Sequence, residues 1–476
     1  MTDSKLYSVL THFDKIEQNR LRKYVRSPYF NVNEILMAFL DLLFAHINAK
    51  DKAGAFTKEF IWVQLYENET FNDVRFRKLS SDLLKLIEDF LAQERYEKDD
   101  LQKASYLLGA IGDKKMEKLH KSAIKSAREL LKHQNQKSAT FYYNQYLIEK
   151  NDYDLSEGEL KRSEKSNMED IINNLDYFYL AEKLRLYNSI LSRKSMISHE
   201  YKLLFIDEII EHIDKYQYDE IPPVSIYYRQ CLTLMQNNDE KDEHYFELKK
   251  LVSRHWRQFP LLEASEIYGG LLNYCSRKIN QGNQFFVREF LEIYKDILQK
   301  NILPNNELNP WSFKNAVQIA LRLGEYEWAE KFIKDYNAKL PTDFRDSALS
   351  YNLALVYFYQ KKYNNVIEKL QSVDYEDIGY NLNAKSVLIS VYYELDSDDA
   401  LMSLMDSFKT YLHRHKDIAE NRRILYLNLM KYVRKLLKLN KGSKTEIEHI
   451  KKEMEEDRKI GIASEKWILE KLAELE

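Results

Sequence analysis

From Ile221 onward the chain reads as one amphipathic helix after another, each too short to be stable alone. "VSIYYRQCLTLMQ" pairs with "EHYFELKKLVSRHW", "LEASEIYGGLLNYCSRKI" with "QFFVREFLEIYKDILQK", and "WSFKNAVQIALRL" with "EYEWAEKFIKDYNAKL". "ALSYNLALVYFYQ" then pairs with "KYNNVIEKLQSV", and "NLNAKSVLISVYYEL" with "DDALMSLMDSFKTYLH". Isolated helices below roughly 12–15 residues are marginal in water. Apolar stripes at helical spacing need a neighbour to cover them. Short turns make each pair antiparallel. Stacked pairs, rather than one closed core, are therefore expected here.

The 476 residues exceed what one ordinary core accommodates. Only 11 Gly and 7 Pro interrupt them, which favours helix throughout. The 35 Tyr combine ring area with a hydroxyl that needs a partner, which suits helix seams and binding faces alike. A net charge of −3 gives no global drive toward nucleic acid or anionic membrane. Cys231 and Cys275 are too few for a zinc-ribbon cluster or a disulfide framework. "MTDSKLYSVLTHFDK" lacks the apolar core of a signal peptide, and no apolar run reaches the roughly 20 residues of a membrane span. A cytoplasmic protein without membrane insertion is expected. The "NET" at Asn68 is then a chance glycosylation match.

The first hundred residues form a different kind of segment. "LTHFDKIEQNRLRKYVRSPYF" places Leu10, Phe13, Ile16, Leu21, Tyr24 and Val25 at near-helical intervals, and Pro28 stops that run. "VNEILMAFLDLLFAHI" is a second helix, and Thr57 can cap a third that runs to Leu65. A long helix follows, with Phe76, Leu79, Leu83, Leu86 and Phe90 on its stripe. The expected organisation is a compact helical domain over 1–100, then a helical connector with irregular pairs over 101–220. A repeat array over 221–440 and capping helices over 441–476 follow.

The stretch "LRLGEYEWAEKFIKDYNAKLP" (321–341) tests for a repeat. Aligned on Ala329, where the second helix of a pair crosses the first, the next pair offers Val366 and the following one Ala400. Those separations are 37 and 34 residues. Gly324 lies five before Ala329, and Tyr326 and Tyr363 each lie three before their crossing residue. Pro341 ends the second helix. On these residues the chain resembles the tetratricopeptide repeat family, whose period is about 34. The resemblance is good over 310–413 and looser over 225–300. Val366 departs from the usual Ala, and Leu382 to Tyr393 lacks the Gly-containing turn.

The resemblance implies an α-α superhelix of antiparallel pairs acting as a non-enzymatic scaffold. Its first helices would line a groove for a peptide or partner protein. The matching positions are Trp311, Lys314, Gln318 and Arg322, then Tyr351, Leu355 and Tyr359, then Lys385, Ile389 and Tyr393. Aromatic and cationic residues side by side suit a ligand with apolar and acidic groups. Some family members clamp a terminal carboxylate. Lys314 and Asn352 match that clamp, but Gln318 replaces an Asn, and Leu382 and Ser386 stand where it has cations.

No motif for covalent chemistry stands beside this reading, so no enzyme, cofactor or metal site is expected. "KGSKT" (441–445) lacks the upstream Gly of a phosphate loop. Glu117/His120 and Glu446/His449 are Glu-x-x-His pairs in strongly charged segments, which favours surface positions. In "HRH" (413–415) the rings point apart on a helix. The alternative is nucleic-acid binding through a helix-turn-helix-like pair over 57–86, with Arg75, Arg77, Lys78 and Lys85 near its second helix. "NRLRKYVR" and the basic segment 114–137 add cations, while Asp73 and Asp82 interrupt the positive face.

Overall fold

The computed structural model describes residues 1–49, 56–67, 69–156, 166–194, 201–235, 242–371, 378–415 and 418–476. Asn68 and most of the acidic stretch before Asn167 lie outside them. Among the described residues every regular element is a helix, so the chain is all-α. Two compact units divide it, Met1–Glu182 and Lys183–Glu476.

The first unit begins with α1 (Lys5–Thr11), α2 (Lys15–Val25), α3 (Glu34–Asn48), α4 (Lys58–Leu65) and α5 (Asp73–Glu97). They enclose Phe39, Phe44, Trp62 and Phe76. Thr57 caps α4 as expected, its hydroxyl accepting from Phe60 N–H at 3.2 Å. The run through Leu10 and Leu21 is two helices, not one. Asp14 and Glu17 form a capping box that restarts the chain at Lys15. Ile16 therefore leaves the expected stripe and is 70% exposed. On α5 the buried stripe uses Ile87, and Leu86 is only half-buried. Four residues from Leu83 match the helical period better than three do here.

Next come α6 (Asp100–Asp113), α7 (Glu117–His133) and α8 (Ala139–Ser156), with α6 packed on both others. A polar network joins α7 to α8. Arg128 donates to Glu149 at 3.0 and 2.5 Å and to Asp152 at 2.7 Å, and Asn167 donates to Glu149 at 2.9 Å. His120 lies 3.1 Å from Asp152 with its side chain mostly covered, so it is not the surface residue its charged surroundings suggest. Then α9 (Met168–Lys194) crosses from one unit to the next.

In the second unit α10 (Ile206–Tyr216) precedes the pairs α11 (Pro222–Met235) with α12 (Glu243–His255), and α13 (Leu261–Asn280) with α14 (Phe285–Gln299). The pairs α15 (Pro310–Arg322) with α16 (Tyr326–Tyr336), and α17 (Arg345–Tyr359) with α18 (Tyr363–Gln371), follow. Then come α19 (Ile378–Glu394) with α20 (Asp398–Arg414), and finally α21 (Glu420–Leu436), α22 (Lys444–Asp457) and α23 (Glu465–Leu475). From α13 to α19, each second helix also packs on the first helix of the next pair. The first helices α15, α17, α19 and α21 pack in succession. This neighbour-to-neighbour packing is compatible with a helical repeat.

One turn closes four of the pairs. Gly282, Gly324, Lys361 and Asp396 adopt φ of 91°, 76°, 58° and 49°. The next residue's N–H reaches back across the turn in each: Asn283 to Lys278, Glu325 to Ala320, Lys362 to Tyr357 and Ser397 to Tyr392, at 2.9–3.0 Å. This is a Schellman closure, which satisfies the last carbonyls of the first helix. The fifth residue beyond each turn is buried: Val287, Ala329, Val366 and Leu401. Ala400 is exposed and is not the crossing residue. The turn residues Lys361 and Asp396 are 35 residues apart, one more than the 34 of the alignment, which shifts the frame to Leu401.

Candidate peptide-binding face

Asn309 starts α15 by accepting from the N–H groups of Trp311 and Ser312, and Pro310 occupies the first helical position. That start fixes Trp311 at the end of the helix, 46% exposed. Its ring stacks on Tyr380 with centroids 6.4 Å apart and planes 13° apart. Tyr380 meets Tyr351 edge-on at 5.4 Å. The Lys314 ammonium lies over both Trp311 and Tyr351, at 5.7 and 5.5 Å from the ring centres. Three consecutive first helices thus contribute to one aromatic–cation cluster, Trp311 and Lys314 from α15, Tyr351 from α17 and Tyr380 from α19.

The other expected positions divide by accessibility. Arg322 is exposed and Gln318 half-buried. Lys314, Tyr351, Leu355 and Ile389 are buried, so these four present little surface. Tyr359 and Lys385 are half-buried, and burial shifts both toward their neutral forms. It raises the Tyr359 hydroxyl and lowers the Lys385 ammonium, which sits 5.7 Å from the Tyr411 ring. The carboxylate-clamp positions do other work. Asn352 is buried and donates to Ala348 O at 2.8 Å, Leu382 is in the core, and Ser386 meets Ser464 at 3.0 Å.

That last contact belongs to α23, which covers the α19 part of the face. Trp467 packs edge-on against Tyr393 at 5.3 Å and donates its indole N–H to Glu394 at 2.6 Å. Lys471 pairs with the same carboxylate at 2.9 Å. Ile468 and Leu472 are fully buried in the core that also holds Leu382 and Ile389. The chain fills this third of the expected groove itself. The accessible remainder runs from Trp311 to Arg322.

Tyr380 and α23 are the two participants the sequence reading missed. Tyr380 lies nine residues before Ile389 on the same helix, half a turn out of phase with it, so the groove stripe counted along α19 does not pass through it. The role of α23 depends on contacts across 73–78 residues, and no local spacing encodes them.

Elsewhere, Cys231 and Cys275 are both buried, and burial pushes each thiol up to about 12. Glu446 and His449 are exposed. Among the described residues no three His, Cys, Asp or Glu side chains gather as metal ligands, and no helix is long and apolar enough to cross a membrane. In the helix-turn-helix-like segment the cations near the α5 start are engaged. Arg75 pairs with Glu69 at 2.6 Å over the Trp62 and Tyr66 rings, and Arg77 pairs with Asp73 at 2.5 Å. Lys78 and Lys85 are exposed. No family model matches this chain, and neither curated proteins nor solved structures give a significant match.

Proposed function

We propose that this chain is a non-catalytic, cytoplasmic interaction protein whose tetratricopeptide-like helix pairs capture a peptide or partner protein. The observation that carries this reading is the cluster Trp311–Lys314–Tyr351–Tyr380, shared by three successive first helices. A half-exposed indole backed by buried rings is a preorganised apolar anchor, and aromatic anchors dominate many interfaces. Arg322, three turns along α15, adds an exposed guanidinium that suits a carboxylate. The ligand chemistry is therefore an extended or helical segment with an apolar side chain for Trp311 and an acidic one for Arg322.

The test is selection from a random displayed-peptide library by the full chain, alongside Trp311→Ala/Arg322→Glu. Enriched sequences should combine apolar and acidic residues, and the variant should retain under about a tenth of the binding. Absence of any enrichment by the folded wild-type chain, or equal binding by the variant, rejects the reading.

A further inference from the structure

A second surface lies on α7, remote in sequence from the peptide-binding face. Its buried side is Ile124, Ala127 and Leu131. Lys118, Lys121, Lys125 and Lys132 follow at steps of 3, 4 and 7 residues, which places them on one adjoining stripe. All four are exposed. The stripe spans 14 residues, about 21 Å of helix. Lys114 and Lys115 extend its start and are exposed as well. Over 114–137 there are eight Lys or Arg against two Glu, in a chain whose net charge is −3.

Of the four stripe lysines, only Lys132 is neutralised by a neighbouring acid. Glu149 and Asp152 on α8 are taken by Arg128 and His120, and Asp154 is taken by Lys150. Glu129 pairs with Lys132 at 2.6 Å. Lys118, Lys121 and Lys125 form no ion pair among the described residues. A row of like charges one turn apart is repulsive unless a polyanion lies along it.

We infer that this stripe binds the phosphate backbone of double-stranded nucleic acid, without reading sequence. A duplex carries one charge per about 1.7 Å of axis, so even the roughly 10 Å from Lys118 to Lys125 meets several phosphates. Lysines neutralise phosphates as point charges, and the stripe offers no unengaged Arg, Asn or Gln to address base edges. A lipid surface fits less well, because the residues interleaved with these lysines are Ser122 and Glu129. The exposed Leu119 and Leu130 lie about 100° or more around the helix from Lys118.

The test is fluorescence anisotropy of a labelled duplex of about 24 base pairs with the full chain, at about 50 and 200 mM salt. Binding should appear at the lower salt and fall by a factor of about 10–1,000 at the higher. Two duplexes of different sequence should bind alike. Lys118→Glu/Lys121→Glu/Lys125→Glu should weaken low-salt binding by about tenfold or more and flatten the salt slope by about 3. These side chains are exposed, so the far-UV circular dichroism should not change. Lys438→Glu/Lys441→Glu/Lys444→Glu, on the other exposed basic segment, should bind as the wild type does. The inference is overturned if the duplex fails to bind at low salt, or if the α7 variant binds normally. It is also overturned if the control variant loses as much, or if phosphatidylserine vesicles or polyglutamate bind where the duplex does not.

Discussion

Tyrosine hydroxyls tie helices of the second unit to the next or next-but-one helix through carboxylates. Tyr245 on α12 donates to Glu289 on α14 at 3.0 Å, and Tyr268 on α13 donates to Asp296 on α14 at 2.8 Å. Tyr274 reaches Asp242 at 2.6 Å and Tyr432 reaches Asp457 at 2.7 Å, while Tyr227–Glu263 and Tyr228–Asp214 repeat the arrangement. Burial is the largest cause that raises these hydroxyls above their ordinary range, with the carboxylate next except at Tyr245, where Cys275 precedes it, so each remains a protonated donor. The abundance of Tyr was legible in the sequence. Its partition between seams and a binding face was not, because Tyr suits both. Tyr268→Phe removes the bond to Asp296 and the one the hydroxyl accepts from Lys300 at 2.9 Å, and should cost about 1.5–3 kcal/mol in urea unfolding. The Arg128–Glu149 pair of the first unit makes a prediction about pH. Burial alone would raise the Glu149 carboxyl, but its bonds to Arg128 and Asn167 outweigh that and hold it below the usual carboxylate range. A depressed native carboxyl stabilises the fold above its unfolded pKa of about 4.3, and the gain is lost as pH falls through the native value. Arg128→Ala should therefore cost about 2–3 kcal/mol at neutral pH, and the difference from wild type should shrink as the solution is acidified below about pH 4.

At the scale of the element, four pairs share one left-handed turn, but only two of them spend a Gly on it. Gly282 and Gly324 could be read as turns from sequence because Gly adopts positive φ without a side-chain clash. Lys361 and Asp396 do the same work with a Cβ present, so nothing in their identity signals the turn. Without a Gly to count from, the 34-residue spacing points to Ala400 where the structure has Leu401. The capping box at Asp14 is the converse case, a legible "DKIE" signal that the apolar spacing through Ile16 obscured. The turn also predicts opposite outcomes for opposite substitutions. Lys361→Gly should stabilise the chain by up to about 1 kcal/mol, whereas Gly324→Ala should destabilise it by about 1–2 kcal/mol. Paired thermal and urea melts would check both signs. If Lys361→Gly destabilises, the left-handed assignment at that turn is wrong.

At the scale of the whole second unit, the all-helical class and the pairing order follow from local periodicity, and the sequence conveys them well. Which part of the candidate face remains accessible does not, because α23 returns over α19 from more than seventy residues away. Burial of Trp467, Ile468 and Leu472 makes that return worth several kcal/mol, at roughly 1.5–3 kcal/mol for each large apolar side chain. Deleting residues 461–476 should therefore make amides of α19 and α21 exchange faster and expose the Tyr393 side of the face to limited proteolysis. Unchanged protection there would mean that α23 is not integral to this end of the unit. The same geometry bears on how the protein is handled. Leu475 O accepts from Gly442 N–H at 2.8 Å, and Glu476 pairs with Lys451 at 3.0 Å. A purification handle or fluorescent fusion joined after Glu476 would begin against this packed end, one turn beyond the Lys471 anchor. A fusion at either end should carry a flexible linker, because Met1 packs against the first unit's core and Leu475 and Glu476 are held at the other.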